Sequence, residues 1–148
     1  KGYWNKDKES QKALKGGWMH TGDAGRMDEE GFVFIQDRIK DMIVSGGENI
    51  YSTEVEAALF AHPDVLDAAV IGIPDEKYGE VVKACIVKKE GSKVNEDDLI
   101  NFCKDRIASY KKPQSIDFID EVPRNASGKV LKKVLREPYW KGQDRQVS

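Results

Sequence analysis

Apolar residues occur along this chain in short runs separated by charge and glycine, and the spacing of those runs predicts the elements. Residues 1–15 carry Tyr3, Trp4 and Leu14 as isolated large apolar groups, so they read as surface chain anchored by aromatics. The run Gly16-Gly17-Trp18-Met19-His20-Thr21-Gly22-Asp23 is turn-rich around one indole. Asp28-Glu29-Glu30-Gly31 predicts a hairpin turn into a strand at 32–35, and a second short strand is expected at 42–44. Val55, Ala58 and Leu59 share a helical face, predicting a helix over 52–61 in which Thr53 and Glu56 have capping-box spacing. His62-Pro63 ends it, because the residue before a proline is pushed away from helical conformation. Residues 65–73 and 80–88 are rich in Val, Ile and Ala and read as strands, with a short link that suits an antiparallel pair. Asn95 is placed to cap a second helix carrying the stripe Leu99, Ile100, Cys103 and Ile107. A further strand is expected at 115–119, a short basic helix at 130–137, and a polar tail, disordered from about residue 139. This mixture predicts an α+β fold, a small domain with a short antiparallel or mixed sheet flanked by helices.

Composition narrows the classes. Charged residues make up 34% of the chain, yet the net charge is -2, which leaves no global electrostatic case for nucleic acid or an anionic membrane. No apolar run approaches the roughly 18 residues of a membrane span, and the expectation is a protein without a signal peptide. Cys85 and Cys103 lie in apolar contexts without Cys-x-x-Cys spacing, so they read as reduced, buried thiols of a cytoplasmic protein. The chain of 148 residues opens at Lys1 in mid-pattern, and the expectation is a piece of something larger.

Two stretches could carry chemistry. In residues 36–49, Asp37-Arg38-Ile39-Lys40-Asp41 stands before Met42-Ile43-Val44 and the pair Gly46-Gly47. Such charges cannot all be buried, and paired glycines let another group approach the backbone closely. The alternative is an ordinary surface hairpin. In Arg124-Asn125-Ala126-Ser127-Gly128-Lys129, a lysine follows Ser-Gly on a flexible, exposed loop, where a compact point charge could swing toward oxygens developing negative charge. Alternatively, Lys129 merely starts a basic, solvated helix with Lys132, Lys133 and Arg136. Gly128-Lys129 is not a P-loop, because Pro123 and Val130 stand where glycine and a hydroxyl residue are needed. His20 and His62 form no metal-ligand spacing with the cysteines.

Gly17 to Asp23, Asp37 to Asp41, Ser45-Gly46-Gly47-Glu48-Asn49-Ile50, and Pro123 to Lys129 occur in this order. Together they closely resemble the C-terminal part of adenylate-forming enzymes, the superfamily of acyl-CoA synthetases, luciferases and peptide-synthetase adenylation domains. The resemblance implies that residues 1–38 are the last, β-rich edge of a large ATP-binding N-terminal domain, and that 39–148 are its mobile C-terminal lid. It implies a ligase that uses ATP with Mg2+ to turn a carboxylic acid into an acyl-adenylate, then transfers the acyl group to the thiol of CoA. Asp23 would accept hydrogen bonds from the ribose hydroxyls of ATP, Arg38 would hold the ribose or neighbouring phosphate, and Ile35 would pack on the adenosine. Lys129 would be the mobile catalytic lysine bridging the attacking carboxylate and the α-phosphate.

Lys40 falls where the family has its hinge, about which the lid rotates between the two half-reactions. Gly46, Gly47 and Glu48 would line a passage for pantetheine. Tyr110 and Lys112 match a segment that stacks on the CoA adenine and sets a cation against its phosphates; the alternative for that pair is a capped helix end. The phosphate loop and acyl pocket of the family match nothing in this chain, so the expectation is that it is inactive without its N-terminal domain. A carrier-protein pantetheine in place of CoA, and a stand-alone binding module without catalysis, are the other readings. A nucleic-acid module has only the basic run 129–136 in its favour and no aromatic platform beside it.

Overall fold

A computed structural model describes residues 2–142. Residues Asp7–Ala13 form a helix, α1. Its polar sequence buries nothing, which is why the apolar pattern gave no sign of it. Trp4 is 89% exposed, so the expected aromatic anchoring does not occur among the described residues. Strands β1 (Asp23–Met27) and β2 (Val33–Arg38) form an antiparallel hairpin of their own. Asp28 closes its turn by accepting hydrogen bonds from the backbone of Glu30 and Phe32. Strand β2 runs three residues past the expected end at 35, into the charged joint. Ala24 pairs with Asp37 and Gly25 with Ile35, so Gln36 is the extra residue of a β-bulge.

A 3-10 turn at Ile39–Asp41 leads into the second sheet. That sheet holds β3 (Ile43–Ser45), β4 (Glu48–Ile50), β5 (Val65–Asp75), β6 (Gly79–Lys88) and β7 (Ser115–Phe118). Antiparallel pairing of β5 with β6 forms its centre, β7 joins β6 in parallel, and β3 with β4 extends the sheet from the start of β6. The fold is therefore α+β with a mixed sheet, as the pattern predicts.

Helices α2 (Ser52–Phe60) and α3 (Glu96–Lys104) cover one face of this sheet. Alternation along the strands sends Val70, Val82, Ala84 and Ile86 toward Val55, Leu59, Leu99 and Cys103 in one buried cluster. Asn95 caps α3 by a reciprocal box with Asp98. The expected Thr53–Glu56 box on α2 does not form. Asp37 of β2 takes the capping role instead, accepting from Ser52 Oγ at 2.6 Å and from the Thr53 backbone N–H at 3.4 Å. Glu56 is drawn away to the Val70 N–H and to Lys132.

The opposite sheet face carries Asp67, Lys83 and Cys85, and the C-terminal part of the chain closes over it. Helix α4 (Lys132–Arg136) is shorter than the expected 130–137, because Val130 bridges back to Arg124. Tyr139, expected in a disordered tail, donates to Asp117, and the Trp140 indole donates to the Gly72 carbonyl at 3.0 Å. An indole and a phenol have both apolar area and a donor to place, and the sheet offers both. Tail positions 143–148 lie outside the described residues.

Candidate functional site

Three groups of candidate residues are held by different parts of the fold. The first lies on the β1–β2 hairpin, whose register sets Asp23 opposite Arg38. Their charged groups approach to 3.7 Å between Arg38 Nε and Asp23 Oδ1. With both side chains still partly open to water, the pair adds little to stability. What it supplies is an acceptor beside a planar set of donors, a combination suited to adjacent hydroxyls and a phosphate oxygen. Ile35, on the same strand, is 66% exposed.

The second group begins at the 3-10 turn that holds Lys40. Arg136 of α4 donates to Asp41 and, at 3.5 Å, to the Lys40 carbonyl, so this turn is tied to the C-terminal helix. Beyond β3, Gly46 and Gly47 have φ of 58° and 88°, the two positive values of a tight hairpin turn. A Cβ on Gly46 would meet the Tyr78 ring at 3.2 Å, whereas Gly47 faces open space. The turn thus presents bare backbone on one side and an aromatic on the other. Glu48, first residue of β4, is exposed. Tyr78 had no signal in the sequence, since its link to Gly46 is a backbone hydrogen bond from Gly46 N to the Tyr78 carbonyl.

Tyr110 belongs to a 3-10 turn, Ser109–Lys111, and is half exposed. Lys111, not Lys112, is the fixed cation of this segment, donating to both oxygens of Glu54 at 2.8 Å. That hydrogen bond raises the Lys111 pKa. Lys112 follows the turn and is half buried.

The third group is the Lys129 hairpin. The sequence suggests a flexible loop, but the structure braces it. Asn125 and Lys129 are joined by a backbone hydrogen bond at 2.9 Å, and Gly128 turns the chain at φ 81°. Asn125 Oδ1 accepts from the Ser127 backbone, Ser127 Oγ and the Lys129 backbone. Arg124 donates to both carboxylate oxygens of Asp67 on β5 at 2.8–2.9 Å, and to the Gly128 carbonyl at 3.0 Å. Lys129 is thereby carried, exposed, on a short rigid arm of the second sheet, and the Asp23–Arg38 pair belongs to the first. Asp67 and Asp37 escaped sequence reasoning because their partners are 57 and 15 residues away.

The two thiols do not join these groups. Burial pushes Cys85 and Cys103 up to about 11, so both are protonated and unreactive at neutral pH. Among the described residues, no cluster of three His, Cys, Asp or Glu is arranged to hold a metal ion. Nor is any described helix long and apolar enough to cross a membrane.

Residues 54–129 match the AMP-binding enzyme C-terminal domain family. Long-chain-fatty-acid–CoA ligase FadD13 of Mycobacterium tuberculosis is 46% identical over 139 residues, covering 94% of this chain and 27% of that protein. Fatty acid–[acyl-carrier-protein] ligase ScoC of Streptomyces coeruleorubidus is 47% identical over 146 residues, covering 99% of this chain and 28% of that protein. Among solved structures, ATP-bound MatB from Rhodopseudomonas palustris superimposes with a TM-score of 0.85 at 38% identity, over 94% of this chain and 28% of that one. The apo structure of MatB superimposes with a TM-score of 0.70 over the same shares. The chain therefore spans little more than a quarter of the length of the relatives it matches.

Proposed function

The chain belongs to the AMP-binding enzyme C-terminal domain family, and from this we propose that it serves as the C-terminal segment of an AMP-forming acyl-CoA synthetase. The observation that carries the proposal is the braced hairpin that delivers the exposed Lys129. A preorganised cation on a rigid mount lowers the energy of charge developing on phosphoryl and carboxylate oxygens, with little reorganisation at the moment of reaction. ATP supplies the adenylyl group that makes the carboxylate a good acyl donor. Asp23 and Arg38 fit its ribose hydroxyls and a phosphate oxygen, and exposed Ile35 offers the adenosine an apolar surface. The described residues hold no carboxylate cluster for Mg2+, so we assign that ion to the ATP phosphates and to residues of the N-terminal domain.

In this reading the substrate is a carboxylic acid, and Lys40 is the pivot about which the lid turns between adenylate formation and thioester formation. Gly46, Gly47 and Glu48 line the thiol passage in the second state. Tyr110 and Lys112 receive the nucleotide end of CoA. Buried, unpaired thiols agree with a reducing, cytoplasmic setting.

A carrier-protein acceptor is the second reading, and the resemblance to ScoC favours keeping it in view. Exposed Tyr110 beside Lys112 favours free CoA, because a carrier protein has no adenine to stack. The test uses the enzyme with its N-terminal domain, a panel of carboxylic acids, and CoA or carrier protein as acceptor. Lys129→Ala is expected to slow adenylate formation about 10²- to 10³-fold. Thioester formation from supplied acyl-adenylate should survive. Equal loss in both half-reactions would reduce Lys129 to a structural residue and overturn the assignment.

A further inference from the structure

We propose that Asp37 and Gln36 latch the β1–β2 hairpin to the start of α2, and that this bridge across Lys40 holds the lid in one of its two orientations. The inference rests on the pivot reading of Lys40 given above. Everything before residue 40 stays with the hairpin, and everything after it moves with the second sheet. Three hydrogen bonds join α2 to β2 across that boundary. Ser52 Oγ donates to Asp37 Oδ2 at 2.6 Å, the Thr53 backbone N–H donates to the same oxygen at 3.4 Å, and Thr53 Oγ1 donates to the Gln36 carbonyl at 2.6 Å.

The groups involved are built for this contact. Asp37 is 8% exposed and Ser52 fully buried, in a chain whose other charged residues mostly face water. Desolvating a carboxylate is expensive unless donors surround it. Here they come from the hydroxyl of Ser52, the Thr53 N–H and the Arg38 N–H at 2.7 Å. Lys132 of α4 completes the chain, donating to Ser52 Oγ while its charge meets Glu56 at 2.8 Å. The β-bulge at Gln36 explains how the second contact arises. An extra residue in β2 turns one carbonyl out of the ladder, and that carbonyl is the one Thr53 uses.

A large rotation about Lys40 cannot preserve short contacts at two successive residues of α2 with two successive residues of β2. The bridge therefore belongs to one orientation, and its loss shifts the balance toward the other. This chain superimposes more closely on the ATP-bound than on the apo MatB structure over the same share of its length.

The test reads the orientation directly and needs no substrate. In the full chain, spin labels on Glu30→Cys at the hairpin tip and Glu90→Cys in the turn after β6 report the distance between the two bodies. Both sites are exposed and the native thiols are buried, so labelling is selective. The unmodified bridge should give one dominant distance. Asp37→Asn should raise the ratio of a second distance about tenfold, as expected for losing hydrogen bonds to a charged acceptor. Thr53→Val, which removes only the bond to the Gln36 carbonyl, should move the same ratio less, and it serves if Asp37→Asn fails to fold. An unchanged single distance in both variants, while Lys40→Gly broadens the distribution, would overturn the latch and leave the pivot standing. A second distance that persists in Asp37→Asn/Lys40→Pro would overturn the pivot and move the joint elsewhere, since proline fixes φ at that residue.

Discussion

Asn125 accepts three hydrogen bonds through one carboxamide oxygen, and Lys129 N–H is one of the donors. These bonds lie at the surface, so Asn125→Ala should cost about 1 kcal/mol of stability or less, water replacing what is lost. Its effect on rate should be larger. Misplacing a positioned charge by about an ångström can cost on the order of 10²-fold, and a loosened hairpin should lower adenylate formation about tenfold or more. Asn125→Asp keeps the acceptor and should retain most of the rate. Pyrophosphate exchange and thermal melting, measured on the same variants, separate the two effects; a loss of stability that matches the loss of rate would count against a positioning role. At this scale the sequence was informative about Lys129 itself, because Ser-Gly-Lys is local. It could not show that the loop is rigid. That property depends on Arg124 reaching Asp67 across 57 residues.

Among the elements, α3 was legible and α2 only partly so, for one physical reason. The α3 cap is closed within the four residues from Asn95 to Asp98, and a local motif can be read locally. The α2 cap comes from another sheet, so the Thr53–Glu56 spacing pointed to the wrong partner. The C-terminal segment failed for the same reason, since its polar sequence conceals what Tyr139 and Trp140 reach. Burial disfavours the Asp117 carboxylate, but hydrogen bonds from Lys83 and Tyr139, with the Lys83 charge, hold its pKa below the usual value. A depressed carboxylate stabilises the fold above its unfolded pKa, about 3.9, and that contribution is lost as pH falls through the folded value. Cys85 and Cys103 act in the opposite range. With folded values of about 11, their contribution is complete below the unfolded thiol value near 8.5, and is lost as pH rises toward 11. The melting temperature should therefore be flat between about pH 5 and 8 and fall on both sides. Tyr139→Phe should cost about 1 kcal/mol on the plateau and make the acid limb shallower, because Asp117 loses a donor and its folded pKa moves back toward the unfolded value. An unchanged acid limb in that variant would detach Asp117 from acid stability.

The whole molecule divides into a body that buries its apolar residues and a hairpin that does not. Around the second sheet, fifteen buried hydrophobic residues form one cluster. On and beside the first, Met27, Phe32, Val33, Phe34 and Ile35 stay exposed on one short ribbon, and Trp18 is 78% exposed. A two-stranded hairpin is at best marginal in water without a surface to pack on, and a contiguous apolar patch marks an interaction site. The hydrophobic pattern predicted the strand at 32–35 but not the fate of its faces, because alternation cannot say which partner covers them. In the proposed reading that cover is the N-terminal domain, and this chain spans only 27–28% of the length of the relatives it matches. The same division bears on activity. In the proposed reading this chain brings a lysine arm, a ribose-type acceptor and donor pair and a pivot, while the phosphate loop and the acyl pocket belong to the N-terminal domain. The isolated chain should therefore give no ATP–pyrophosphate exchange with any carboxylic acid, while the enzyme with its N-terminal domain should. Hydrogen exchange offers a check that does not depend on substrate choice. In the isolated chain β5 and β6 should be protected near the global limit and β1–β2 far less, and addition of the N-terminal domain should raise protection of β1–β2 selectively. Exchange activity in the isolated 148 residues, or β1–β2 protection equal to that of β5–β6, would mean that the hairpin needs no partner and that catalysis is already complete within this chain.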